Sequence, residues 1–261
     1  MKSGMDHRRI KTLINFLKSL NIKSERFESS ISETNHTMLS LVNESLTHSS
    51  AHKNTNHEKL EFFGDAVLRL AASEFIDQNY SEIEVGKRSE LRAQIVSDEW
   101  LTKLGKNINL EQIIIAGPKA LGDDYSRDTI IAETAEALIG AIYKNFESIL
   151  EINLWLDKYW TIDAKLILEA PHLYNAKSSL QEWCQEKKID LPQYEIKEVS
   201  KVHGDPNRFF CELFILGKLV SSSFGKSHKK AEKNAAYLAL EKVIKENDQL
   251  IKLTLNHSEK K

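Results

Sequence analysis

Five carboxylates set the chemical question. Glu58, Glu61 and Asp65 lie in HEKLEFFGDAVL (His57–Leu68), and Glu133 and Glu136 lie in TIIAETAEALIGAIYKNF (Thr129–Phe146). At about 100° per residue, the first three fall within about 60° of one another on a helix, opposite Leu60, Phe63, Val67 and Leu70. Like charges that close destabilise a helix. Acidic groups amid Ile, Ala and Leu are costly unless something compensates them. A hard divalent cation such as Mg²⁺ is what carboxylate oxygens suit. Two facing helices would place Glu61, Asp65, Glu133 and Glu136 around one or two ions, a site able to generate a hydroxide nucleophile and neutralise phosphoryl charge. The plainer alternative is a solvated acidic face. HEKLE is not the zinc-protease helix, because its fifth residue is Glu61 and not a histidine. His57 therefore reads as a polar residue at a helix N-terminus. Thr47-His48-Ser49-Ser50 reads as the closure of the preceding helix rather than as a nucleophile and its base.

A second constellation is basic. Lys226, His228, Lys229, Lys230 and Lys233 cluster at the start of HKKAEKNAAYLALEKVIKE. A helix N-terminus already presents positive dipole and free N–H groups, so lysines there make a phosphate clamp, whereas stability alone would favour acidic residues. The alternative is a solvated lysine-rich helix end. Gln181 and Glu182 could reach 2′-hydroxyls or base edges, and the His203–Pro206 loop could enter a second groove.

The elements that must position these residues follow from hydrophobic period. Helices are predicted over Ile10–Leu20, around Met38–Leu46, from about Asn56 to Gln78, from about Lys87 to Leu104, over Thr129–Phe146 and near Glu147–Trp160. Gly105, Gly117, Pro118 and Gly122 read as loop punctuation. After Pro171 the pattern changes. AKSSLQEWCQEKK is an amphipathic helix with Leu180 and Trp183 inward. YEIKEVSKV, RFFCELFIL and KLVSSSFG read as three strands, and a helix closes the order.

Length and composition agree with two domains. The chain has 261 residues, 41% hydrophobic and 28% charged, as a folded globular protein does. No apolar run reaches the roughly 18 residues of a membrane helix, and MKSGMDHRRIK does not read as a secretory signal. Cys184 and Cys211 exclude a disulfide scaffold and a cysteine-rich zinc site. A reduced, cytoplasmic location is the default expectation. The net charge of −2 hides an asymmetry: residues 175–261 hold 16 Lys and Arg against 12 Asp and Glu, and residues 1–174 hold 20 against 26. An acidic N-terminal part joined to a basic C-terminal part suggests a nucleic-acid-binding module beside something else. The reading is a catalytic domain at 1–168, a linker at 169–174, a binding domain at 175–247 and a polar tail at 248–261.

On these residues the chain resembles bacterial ribonuclease III over nearly its whole length. HEKLEFFGDAVL resembles that family's signature helix. NAKSSLQEWCQ and SHKKAEKNAAYLAL resemble the two ends of a double-stranded-RNA-binding domain. The resemblance implies an all-α endonuclease domain followed by a small α+β (α-β-β-β-α) domain. It also implies a homodimer that cuts double-stranded RNA with Mg²⁺, leaving 5′-phosphate, 3′-hydroxyl and a short 3′ overhang, in ribosomal and messenger RNA precursor processing. No small-molecule cofactor and no membrane is implied. Carried over, Glu61, Asp65, Glu133 and Glu136 hold the metal, with Asp65 and Glu136 the critical catalytic pair. Glu58 faces the RNA, Phe62 is an aromatic knob for the partner subunit, and Gln181, Glu182, His203, His228, Lys229, Lys230 and Lys233 bind RNA.

The chain departs from the family pattern at several positions. Position 133 is usually Asp and here is Glu, which lengthens the side chain by a methylene and opens the way to Mn²⁺ as a substitute. His57 stands where the signature opens with Asn. A further family glutamate falls on Val85, next to Glu84. HGDPNRF fits the family's loop pattern only loosely, and Glu25–His36 is a longer connection than usual. Two other readings use the same residues. A catalytically silent RNA-binding dimer would have lost the carboxylates, which are all acidic here. A phosphatase of small nucleotides would leave the lysine-rich domain without a use.

Overall fold

The computed structural model describes residues 5–118, 120, 122, 124–170, 174–202 and 204–245. It divides into two compact units, Met1–Lys165 and Leu166–Lys261. The first is helical. Its elements are α1 (His7–Ser19), α2 (Glu25–Ser30), α3 (His36–Ser45), α4 (Glu58–Asn79), α5 (Val85–Ile95), α6 (Asp98–Asn107), a 3₁₀ turn (Leu110–Gln112), α7 (Asp124–Phe146) and most of α8 (Leu150–Glu169), whose last turn runs past Lys165. Among the described residues no strand precedes Gln193; Thr47 and Ile115 form an isolated bridge. No described helix is long and apolar enough to cross a membrane.

α7 is the axis of this unit. Ile131, Ala135, Ala137, Leu138, Ile139, Ala141 and Ile142 along it are buried, and α3, α4 and α6 pack around it. Small residues on one side let α4 come close. A Cβ on Gly64 would lie 1.9 Å from the Glu136 carbonyl oxygen, and one on Gly140 would lie 2.3 Å from the Leu60 carbonyl oxygen. Glycine is required at both positions, because real Cβ atoms do not approach backbone that closely. Aromatic residues of α4, α6 and α8 form another part of the core: Trp100 and Trp160 stack, and Phe75 tilts against Trp160. Their indole N–H groups are satisfied, Trp100 by Asp163 at 2.9 Å and Trp160 by the Ile95 carbonyl at 3.1 Å. Buried indole N–H groups commonly find such partners, though that of Trp155, also buried, has none among the described residues.

Three expectations need correction. The helix predicted over Lys87–Leu104 is two helices, because Ser97 leaves helical geometry and its hydroxyl accepts the Trp100 N–H as a cap. Gly105 is not loop punctuation but a buried residue of α6, where a Cβ would sit 2.3 Å from an Ile131 methyl. Leu70, on the face opposite the carboxylates, is 54% exposed, while Leu68, Ala71 and Ala72 beside it take the buried positions of α4. The connection over Glu25–His36 contains α2, capped by Ser24.

The second unit has the predicted order. α9 (Ala176–Glu186) precedes β1 (Gln193–Glu198), β2 (Phe209–Ile215) and β3 (Lys218–Gly225), and α10 (His228–Lys245) follows. The sheet is antiparallel in the order β1-β2-β3, with Ile196 opposite Cys211 and Phe210 opposite Phe224. Cys211, Leu213 and Ile215 on one sheet face pack with Leu180 and Cys184 of α9 and Ala231, Ala235 and Ala239 of α10. Trp183 is only half-buried at the edge of this core. Both cysteines are buried free thiols. The tail expected at 248–261 lies outside the described residues.

Candidate active site and nucleic-acid interface

The Gly64–Gly140 crossing sets the spacing of the acidic cluster. Glu61 and Asp65 project from α4 one turn apart, and Glu133 and Glu136 project from the adjacent stretch of α7. An open cleft is lined by Glu61, Phe62, Phe63, Asp65, Ala66 and Glu136. Glu136 carries the heaviest electrostatic load. Burial, then the charges of Asp65, Glu61 and Asp98, push its carboxyl up to about 8, against an opposing pull from Arg69. Glu61 is also raised, first by burial and then by Glu133. Asp65 is held by Arg69, whose Nε lies 2.9 and 3.0 Å from its two oxygens.

Sequence reasoning missed how His57 enters this cluster. Its capping role belongs to Asn56, whose Oδ1 accepts the Glu58 N–H at 3.0 Å. The ring of His57 turns inward instead and is 2% exposed. Its Nδ1 faces the Thr47 carbonyl at 3.3 Å, and its Nε2 lies 3.3 Å from both Glu61 Oε2 and Glu133 Oε2. Burial pulls its pKa down, but the bond to Glu133, the charges of Glu61 and Glu133, and the Thr47 carbonyl outweigh that and leave it raised. His48 stacks on His57 with ring centres 5.0 Å apart. Its Nδ1 accepts the Ser50 N–H at 3.1 Å and lies 2.7 Å from the Ser50 hydroxyl. Ser50 Oγ in turn accepts the Gly117 N–H. So the stretch Thr47–Ser50 does more than close α3. The available signals were His57 at the i−4 position from Glu61 and the small residues at 64 and 140.

The remaining residues of this unit sit on the surface. Glu58 is exposed at the start of α4. Phe62 is 85% exposed, beside the acidic cluster and away from the core. Glu84 and Val85 open α5, both exposed.

The donor set fits a divalent cation. Glu61, Asp65 and Glu136 line one cleft with Glu133 beside Glu61, and burial first, then the neighbouring carboxylates, push Glu136 up to about 8, the second of which a cation would offset.

In the second unit the predicted basic cluster lies at the start of α10. Ser227 Oγ accepts the Lys230 N–H, capping that end. His228 and Lys229 are exposed, and Lys230 and Lys233 are half-exposed. His228 is braced edge-on by Phe209 at 4.3 Å. A Cβ on Gly225 would lie 2.3 Å from the Ala231 nitrogen, so the last strand runs directly against the helix that carries the lysines. Gln181 and Glu182 are exposed on α9. His203 lies outside the described residues; its neighbour Gly204 turns with φ +81°.

Comparison with known proteins agrees with both halves of this geometry. Residues 39–148 match the model of Ribonuclease-III-like proteins, and residues 176–243 match the double-stranded RNA binding motif. Ribonuclease 3 of Prochlorococcus marinus is 49% identical over 205 residues, covering 78% of this chain and 82% of that protein. The chain belongs to the ribonuclease III family. Ribonuclease 3 of Treponema denticola is 29% identical across 95% of this chain and 97% of its own. Among solved structures, the nuclease domain of ribonuclease III from Campylobacter jejuni covers 57% of this chain and 92% of its own, at 27% identity and a TM-score of 0.42. By its family models and its curated relatives, the chain is an endoribonuclease of the ribonuclease III type, with a double-stranded RNA-binding domain after its helical nuclease domain.

Proposed function

We propose that this enzyme hydrolyses the phosphodiesters of double-stranded RNA with Mg²⁺, with Mn²⁺ as a possible substitute. On this reading it works as a cytoplasmic homodimer on ribosomal and messenger RNA precursors. The observation that carries the reading is the cleft lined by Glu61, Asp65 and Glu136, with Glu133 beside Glu61, where α4 and α7 meet glycine to backbone. Residues 1–168 would form the catalytic domain, and 175–247 the RNA-binding domain after a linker at 169–174.

The chain's own residues divide the work. Glu61, Asp65, Glu133 and Glu136 would hold the cation, and Arg69 orients Asp65. The bound cation supplies positive charge against the phosphate and an acidified water. Glu136, largely protonated near neutral pH in the metal-free protein, gives up that proton on binding. Water adds across the P–O3′ bond, so the phosphate stays on the 5′ end and the leaving O3′ takes up a proton. Phe62, exposed beside the cluster, fits the role of a knob against a second copy. Glu58 stands at the rim, where RNA would pass. Duplex affinity comes from Lys229, Lys230, Lys233 and His228, from Gln181 and Glu182, and from His203 in its loop. A domain of this kind reads A-form shape and phosphates rather than sequence.

The test is cleavage of a long perfect RNA duplex by wild type and Glu136→Gln, in Mg²⁺, Mn²⁺ and Ca²⁺ separately. Wild type should cut in Mg²⁺ or Mn²⁺. The variant should lose at least about 10³-fold in rate, the scale expected when a charge-stabilising group is removed, and keep its duplex affinity. Tight binding without cutting in any metal would overturn the nuclease reading in favour of a silent RNA-binding dimer.

A further inference from the structure

Arg69 stands one helical turn past Asp65, on the same face of α4. Its hold on Asp65 is one-sided. The Nε N–H alone reaches both carboxylate oxygens, at 2.9 and 3.0 Å. An arginine spent on a carboxylate commonly sets two parallel N–H groups against the two oxygens. Here both terminal amino groups are left without a hydrogen bond among the described residues. The Arg69 side chain is 56% exposed and that of Asp65 40%, and an exposed pair of this kind contributes little to stability. Arg69 nevertheless stands in the field of the cluster. Glu136 and Asp98 act on it besides Asp65, and its own pull reaches Glu136. A phosphodiester brought to this cleft carries its negative charge toward Glu58, Glu61, Asp65, Glu133 and Glu136. A guanidinium edge matches phosphate oxygens two by two and stays charged at any working pH. Because Asp65 already holds the Nε side, the plane is oriented before RNA arrives and little freedom is lost on contact.

We propose that the open edge of Arg69 is a phosphate-binding site of the nuclease unit: it takes a backbone phosphate of the strand being cut, beside the scissile bond, while its Nε keeps Asp65 in place. A lysine would supply the charge but not the two-pronged edge. Arg92 of α5 offers the comparison. Its Nη1 donates to Ser73 Oγ at 2.9 Å, and Ser73 Oγ donates to the Arg69 carbonyl oxygen at 2.7 Å. A second exposed guanidinium thus lies one turn farther along α4, where it reports the effect of positive charge alone. This inference rests on the carboxylate cluster being the site of cleavage.

Single-turnover cleavage by the full chain tests it, on short RNA duplexes in which the phosphates around the cut are replaced one at a time by neutral methylphosphonates. Arg69→Gln should slow cleavage of the unmodified duplex about tenfold to a hundredfold, as loss of a hydrogen bond to a charged group does. At one phosphate beside the cut, the methylphosphonate should slow wild type by a similar factor and slow Arg69→Gln by less than about twofold, because both changes remove the same contact. Arg69→Lys should recover part of the rate and part of that penalty. Arg92→Gln should keep the whole penalty. Full, additive penalties at every phosphate in both Arg69→Gln and Arg69→Lys would overturn the phosphate contact, leave Arg69 as a residue that only orients Asp65, and leave the nuclease reading standing. A penalty lost equally in Arg92→Gln would overturn it too, since charge at a distance would then suffice. A wild type that cuts in neither Mg²⁺ nor Mn²⁺ would overturn the nuclease reading itself, and the inference with it.

Discussion

The two units solve opposite electrostatic problems. In the helical unit, charge is gathered and buried: two helices that touch at glycine bring acidic residues to one cleft, and burial first, then the charges of Asp65 and Glu61, push Glu136 up to about 8. In the second unit, charge is spread over a surface: the lysines of α10 stand at a helix end above an ordinary apolar core. The first site exists only because packing overrides repulsion. The second needs packing only to hold a helix in place. A chemical centre is therefore far more sensitive to backbone spacing than a binding face is.

That contrast can be broken most directly at its glycines. Gly64→Ala should cost about 3 kcal/mol or more, because the Glu136 carbonyl has no room to yield. Metal binding should fail with it, while the second unit still binds duplex RNA; thermal melting and a duplex-binding titration read the two effects separately. Gly225→Ala should do the reverse, loosening α10 and weakening duplex binding while Mn²⁺ titrations stay unchanged. A Gly64→Ala protein that melts and binds metal as wild type does would mean that the helix crossing does not set the spacing of the carboxylates.

Charge substitutions should give smaller effects. Changing Lys229, Lys230 and Lys233 together to Ala should weaken duplex binding by at least about tenfold. The log–log slope of affinity against salt should flatten by about one for each phosphate left without its lysine. Cleavage at saturating RNA should hold. An unchanged salt slope would place the phosphate-binding groups elsewhere.

The pH dependence of the metal-free protein should be smaller still. Glu136 has its carboxyl raised from 4.5 to about 8, so the folded state binds its proton more tightly than the unfolded chain. The stability this gives is complete below about 4.5 and is lost as pH rises toward 8. Metal-free protein should therefore melt lower at about pH 9 than at about pH 6. Added Mg²⁺ should narrow the gap, and Glu136→Gln should reduce it. Melting curves identical at the two pH values without metal would argue against that buried charge.

The sequence made the second unit legible almost throughout. Its strands alternate inward Cys211, Leu213 and Ile215 with outward neighbours, and glycine and proline punctuate them. In the first unit the carboxylates and their helices were legible, because the roughly 3.6-residue period of a helix aligns them. The break at Ser97 was not, because a single capping hydroxyl interrupts an apolar period that continues on both sides. Leu70 was misplaced for the converse reason, since period assigns a face but not what covers it. His57 escaped because its use depends on Thr47 and Glu133, 10 and 76 residues away in the chain. Spacing along one helix cannot report a partner on another.

The latch between Ser50 and Gly117 reaches further than its own loop. Gly117 donates to the Ser50 hydroxyl, Ser50 fixes His48, and His48 lies flat on His57. The loop that leads into α7 is thereby wired to the ring facing Glu61 and Glu133. The packing of the ring beside Glu61 and Glu133 therefore depends on residues that carry no charge, Ser50 and Gly117.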